Sequence, residues 1–199
     1  MQFPIDITFK MLGWHANLHV TDGSGRMIGF VPGAQIRDGK LPVYADESKG
    51  PSIYTIKAEH AFTHWFEDAE GTKIGQLGLT PLGLGKFVFV DGEPRFRFAI
   101  GSDWLDFFDR MVPNVPVLTG LFGSFIRPWT HAVRIEGGPD EQGATLDGAD
   151  VLRITKQRMM IDIRYRLRAL EDVAAREREC LLLSAIVYAL QDHIVSSMR

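Results

Sequence analysis

The chain has 199 residues, of which 45% are hydrophobic and 24% charged, and its net charge is −3. That composition supports one core of ordinary size and excludes a disordered or fibrous polymer. A pI near 6.1 excludes a dedicated nucleic-acid binder, which would carry a strong basic excess.

The opening residues, Met1-Gln-Phe-Pro-Ile-Asp6, lack the basic and long apolar regions of a secretory signal, so the expected location is cytoplasmic. Period-two alternation then marks short strands. Ile5, Ile7 and Phe9 alternate with Asp6, Thr8 and Lys10; Ala16, Leu18 and Val20 alternate with Asn17 and His19. Further strands are expected at 27–31, 41–44, 53–57, 62–66, 73–77, 86–90, 95–100, 131–136, 151–156 and 159–167. Asp91-Gly92 between two apolar runs is the strongest hairpin mark. Strands spaced every eight to twelve residues point to a barrel or sandwich.

A weak internal repeat supports the hairpins. His15-x3-His19-x2-Asp22-x2-Gly25-x2-Ile28-Gly29 is echoed by His60-x3-His64-x3-Asp68-x2-Gly71-x2-Ile74-Gly75, with a one-residue slip after the second histidine. Asp can bond the turn amides while Gly takes a positive φ. Repeated hairpins are a route to a closed meander.

Near the C-terminus, the run 180–190 is apolar on every side and contains no Gly or Pro. Its length of about eleven residues falls short of the ~20 needed to cross a bilayer. A helix that is apolar all round must be buried all round, and a closed sheet offers that site. Cys180, the lone cysteine, is expected to pack as a small hydrophobe.

The Asp-x-x-Gly-x-x-Ile-Gly segments at 22–29 and 68–75, Phe89-Val-Asp-Gly92 and the apolar helix at 181–190 together resemble the tubby C-terminal-like superfamily. The chain is most similar to its LURP-one-related and phospholipid-scramblase-like branch. That resemblance implies a twelve-stranded barrel wrapped around a central hydrophobic helix. It also implies, through the tubby proteins, phosphoinositide head groups held on basic barrel residues. The Pro-rich tail, cysteine cluster and acidic calcium loop associated with animal scramblases are missing from this sequence, which speaks against scrambling.

The candidate site lies on the last strand pair. Ile161, Ile163, Tyr165 and Leu167, with Met159, form one face of a strand and Arg164, Arg166 and Arg168 the other, at ~6.5 Å intervals. Arg153, Lys156 and Arg158 precede them, and Asp162 is the one acid between 153 and 168. Guanidinium groups match phosphate geometry, so this is an expected anion patch. The alternative is a solvated barrel face paired with acids elsewhere.

A second candidate is the segment 102–129. Ser102 can cap a short helix over 103–112, which Pro113 ends. The uncharged run 115–126 that follows contains Leu121, Phe122, Phe125 and Ile126, and Trp129 lies just beyond. Such a surface suits a homodimer contact or a membrane wedge, or a plug folded over a barrel end.

Enzymatic motifs fail on spacing. Gly78 to Lys86 has Thr80 where a phosphate loop needs its first Gly and Phe87 where it needs Ser or Thr, and Gly123-Ser124 is not in Gly-x-Ser-x-Gly. His15 with His19, or His60 with His64, would lie ~13 Å apart along a strand, too far to share a metal ion. No cofactor, metal or reaction is therefore expected.

The expected fold is mainly β: about twelve strands closed around a central C-terminal helix at about 170–197, with a short helical insertion near 102–112, all in one domain over 1–199. The expected function is a non-catalytic module for anionic lipid head groups or related phosphorylated ligands, cytoplasmic and peripheral at the membrane. A scaffold that homodimerises through 115–129 is the alternative.

Overall fold

A computed structural model describes residues 1–12, 15–34, 39–60, 63–79, 86–100, 129–135, 147–158 and 162–197. Twelve strands follow one another: β1 (Ile5–Leu12), β2 (His15–Thr21), β3 (Met27–Val31), β4 (Lys40–Tyr44), β5 (Ser52–His60), β6 (Thr63–Asp68), β7 (Lys73–Leu79), β8 (Lys86–Val90), β9 (Glu93–Ile100), β10 (Trp129–Ile135), β11 (Asp147–Arg158) and β12 (Ile163–Ala169). Each pairs antiparallel with its chain neighbour, and β1 pairs with β12 to close the barrel. Closure leaves no edge to aggregate. One helix, α1 (Ala175–Ser197), follows β12.

The repeated motif forms two matching hairpins. Asp22 Oδ1 accepts from the Ser24 and Arg26 amides at 3.1 and 3.2 Å, and Asp68 Oδ1 accepts from the Thr72 amide at 2.8 Å. Gly25 and Gly71 both take φ +80°, the left-handed conformation that the turn demands. Asp91 and Gly92, with φ of 52° and 88°, make the two-residue turn between β8 and β9.

Inside the barrel, α1 buries every residue from Cys180 to Leu190 except the half-buried Tyr188. They pack on the inward side chains of the strands, among them Ile7, Phe66, Ile74, Val88 and Leu167. Cys180 donates its thiol to the Ile74 carbonyl at 3.3 Å, and burial pushes its pKa up to about 12, so it is an inert packing group.

The helix starts at Ala175 rather than near 170. The Leu170 amide still bonds the Val151 carbonyl, so the strand pairing continues one residue past β12. Glu177 then accepts from the Ala174 amide at 3.1 Å, as the returning half of a capping box, and fixes the helix start. The last strand starts at Ile163 and not at 159, because β11 runs on to Arg158. The expected insertion helix at 103–112 lies outside the described residues.

Candidate functional site

Alternation along β12 puts Tyr165 and Leu167 inside, each 1% exposed, and Arg164, Arg166 and Arg168 outside. Register sets Arg153 opposite Arg168, Thr155 opposite Arg166 and Gln157 opposite Arg164. The outer face of β11 and β12 therefore carries Arg153, Arg164, Arg166 and Arg168 together. On the other side, β1 brings Asp6 opposite Arg166 and Thr8 opposite Arg164.

Asp6 and Arg166 form a bidentate pair, Nε to Oδ1 at 2.8 Å and the terminal nitrogen to Oδ2 at 2.9 Å. This pair bolts the seam where the barrel closes. Arg164 lies 3.9 Å from the same carboxylate, while its Nε is shielded from solvent and has no hydrogen-bond partner. The Arg166 hydrogen bond holds the Asp6 carboxyl below its ordinary value of 3.8, against burial and with help from the charges of Arg166 and Arg164. A depressed folded pKa stabilises the fold above 3.8, and that stabilisation is lost as pH falls through the lower folded value. Asp6→Asn is expected to cost about 1–2 kcal/mol near neutral pH, with the difference from wild type shrinking in acid, as read by urea melts.

Lys156 does not belong to the outer face. It lies opposite Tyr165 and shares the inward parity of Leu152 and Ile154. Its ammonium meets Asp192 Oδ2 of α1 at 2.5 Å, and the Tyr165 hydroxyl donates to the same oxygen at 2.5 Å. Arg158 stands opposite Ile163 at the end of β11, and its side chain is not described. One of the six expected patch residues, Lys156, is thus off the outer row.

Lys156 joins a polar group around the C-terminal half of α1. Lys86 donates to Gln191 Oε1 at 2.7 Å, Thr130 and Tyr188 share a hydrogen bond of 2.8 Å, and His193 stacks on Phe9 at 4.3 Å. Burial lowers the Lys86 pKa, with Asp192 opposing. At the other end, Arg134 meets Glu171 at 3.3 Å and Glu177 at 3.8 Å. Both ends of the central helix are therefore tied to the barrel wall by charge. The sequence signal for this group was Gln191-Asp192-His193 directly after the apolar run.

The second histidines of the two copies, His19 and His64, are not equivalent. His19 lies opposite Thr8 and Phe30, on the outer parity of β2, whereas His64 lies opposite Leu77, facing in. The one-residue slip in the repeat flips the face, since side chains alternate with period two. The two cannot meet across the repeat. Among the described residues, no group of three His, Cys, Asp or Glu side chains is placed to hold a metal ion.

Burial, first of all causes, lowers the pKa of His19, His64 and His193 below 6.5. The unfolded chain then binds protons that the folded one resists, so stability is expected to fall as pH drops from 6.5 toward the lower folded values. Melting temperatures at about pH 7.5 and pH 5 check this; His64→Gln should shrink the drop.

The expected interaction surface, Leu121, Phe122, Phe125 and Ile126, lies outside the described residues. Trp129 opens β10 opposite Thr155, and its side chain is not described. Among the described residues, no helix is long and apolar enough to cross a membrane.

No protein-family model matches this sequence, and no curated protein matches it. Among solved structures, the chain is similar to the X-ray structure of a protein from Arabidopsis thaliana, AT5G01750, at 15% identity over 96% of this chain and 91% of that one, with a TM-score of 0.44.

Proposed function

We propose that the protein is a non-catalytic module that binds anionic lipid head groups, of phosphoinositide type, on the outer face of β11 and β12. It would work in the cytoplasm at the membrane surface. The observation that carries this reading is the register that sets Arg153 directly opposite Arg168, next to Arg164 and Arg166. Like charges directly opposite each other destabilise a sheet. A phosphate between two guanidinium groups can accept from both.

The shielded Nε of Arg164, which has no acceptor, supports the same reading, because an unmet buried donor costs about 1–3 kcal/mol. A phosphate oxygen is the acceptor that a guanidinium fork matches best. Asp6 takes both arms of Arg166, and the proposed contact uses Arg153 and Arg168, which share the outer row by register, with Arg164 as third donor.

Sedimentation with vesicles tests it. Binding is expected to vesicles of phosphatidylcholine mixed with an anionic lipid, to weaken as salt rises, and to be missing from phosphatidylcholine alone. Soluble inositol phosphates competing the protein off vesicles would assign recognition to the head group. Equal binding to neutral and acidic vesicles would defeat the proposal.

A further inference from the structure

The outer face of β6, β7 and β8 lies five strands round the barrel from β12 and holds a cavity of about 560 Å³. Register lines up Trp65, Gln76 and Phe89 as one outward row across these strands. Strands two apart are separated by about 9.5 Å. A ring seated over Gln76 would then lie about 4.8 Å from each aromatic neighbour, within the 4.5–7 Å of stacking contacts. Strand spacing thus leaves room for about one ring between the two aromatic side chains once Lys73 moves off Trp65.

The polar groups decide what kind of ring. Lys73, Gly75, Asp91 and Gly92 complete the lining, and the Lys73 ammonium rests over the Trp65 ring at 2.5 Å from its centre. One ammonium and one carboxylate cancel, so an ionic ligand gains no net attraction. The indole N–H of Trp65 is held by Glu59, which fixes the plate before any ligand arrives. Gln76 Oε1 is shielded from water and has no hydrogen-bond partner, an acceptor waiting for a donor. The slot thus offers aromatic faces, two acceptors in Gln76 and Asp91, and a donor in Lys73.

A hydroxyl both donates and accepts, and a pyranose ring presents hydroxyls at its rim and C–H groups on its face. We propose that this cavity is a binding site for a neutral saccharide of two or three units. The C–H face packs against Trp65 or Phe89, hydroxyls donate to Gln76 and Asp91, and the exposed Lys73 swings from the indole to donate to a ring oxygen. The volume lies within the range of small-ligand pockets, about 300–1,000 Å³.

Titrating the ¹⁵N-labelled chain with cellobiose, maltose and lactose, each to about 20 mM, saturates a site of millimolar affinity. At least one sugar is expected to shift the Trp65 indole N–H, the Gln76 side-chain amide and the Gly92 amide together. Affinity should fall at least about tenfold in Lys73→Ala, an exposed position, and in Phe89→Leu. No shifts with any of the three sugars, or shifts that survive both substitutions, would overturn the site. A soluble inositol phosphate shifting the same three signals would overturn it too, since that ligand is anionic.

Discussion

Replacing Gly75 with alanine is expected to lower the unfolding free energy by about 3 kcal/mol, the upper end of overpacking costs. In a chain of this length that lowers Tm by about 6–12 °C. Gly75 faces inward from β7 against the central helix. A Cβ there would stand 2.5 Å from the Phe89 carbonyl oxygen and 2.6 Å from Cys180 Sγ. The first obstacle is sheet backbone and cannot rotate away. Gly29, its counterpart in the first hairpin, would place a Cβ 3.3 Å from Val20 side-chain atoms, which can yield by a few tenths of an ångström. Gly29→Ala should therefore cost about 1 kcal/mol or less. Removing the thiol as well, in Gly75→Ala with Cys180→Ala, should recover part of the loss and leave the part owed to the Phe89 carbonyl. Equal costs at the two glycines would mean that helix and β7 do not touch as described.

The second large effect is expected from Leu183→Ala, at about 4 kcal/mol. Leu183 is 1% exposed on the helix inside a closed wall. Truncation there loses transfer energy and leaves a cavity that a barrel, tied strand to strand, cannot collapse to fill. Guanidinium melts read the cost directly. Amides 182–189 should exchange with deuterium only through global unfolding. A cost under about 1 kcal/mol, with fast exchange, would place the helix outside the core.

The barrel and its helix were legible because local chemistry settles them. Alternation or short apolar runs between turn residues mark the twelve strands, Asp91-Gly92 and the two Asp-x-x-Gly segments mark turns whose dihedrals need Gly, and the run 180–190 has no solvent-facing side to offer. The helix start was misplaced because 170–174 look permissive for a helix, and a single amide bond from Leu170 to Val151 decides otherwise.

The candidate sites were less legible because they depend on register. Lys156 looks like part of a basic patch by its place between Arg153 and Arg158, yet its parity with Leu152 and Ile154 already pointed inward. The Trp65, Gln76 and Phe89 row was out of reach. Its members come from three strands, and only the pairings of β6 with β7 and of β7 with β8 bring them side by side. Likewise, Asp6 as partner of Arg166 spans 160 positions of sequence, which no local pattern encodes.

In the proposed function, Arg153 and Arg168 work as a pair on an anionic surface. The most direct measurement compares wild type with Arg153→Glu/Arg168→Glu for sedimentation with vesicles containing phosphoinositide. The Arg166–Asp6 pair that closes the seam is left in place by both substitutions, and unchanged melting would confirm that. Each basic residue near such a surface contributes about 1 kcal/mol, so reversing two should weaken binding well over tenfold. A folded double variant that still sediments like wild type would contradict the account.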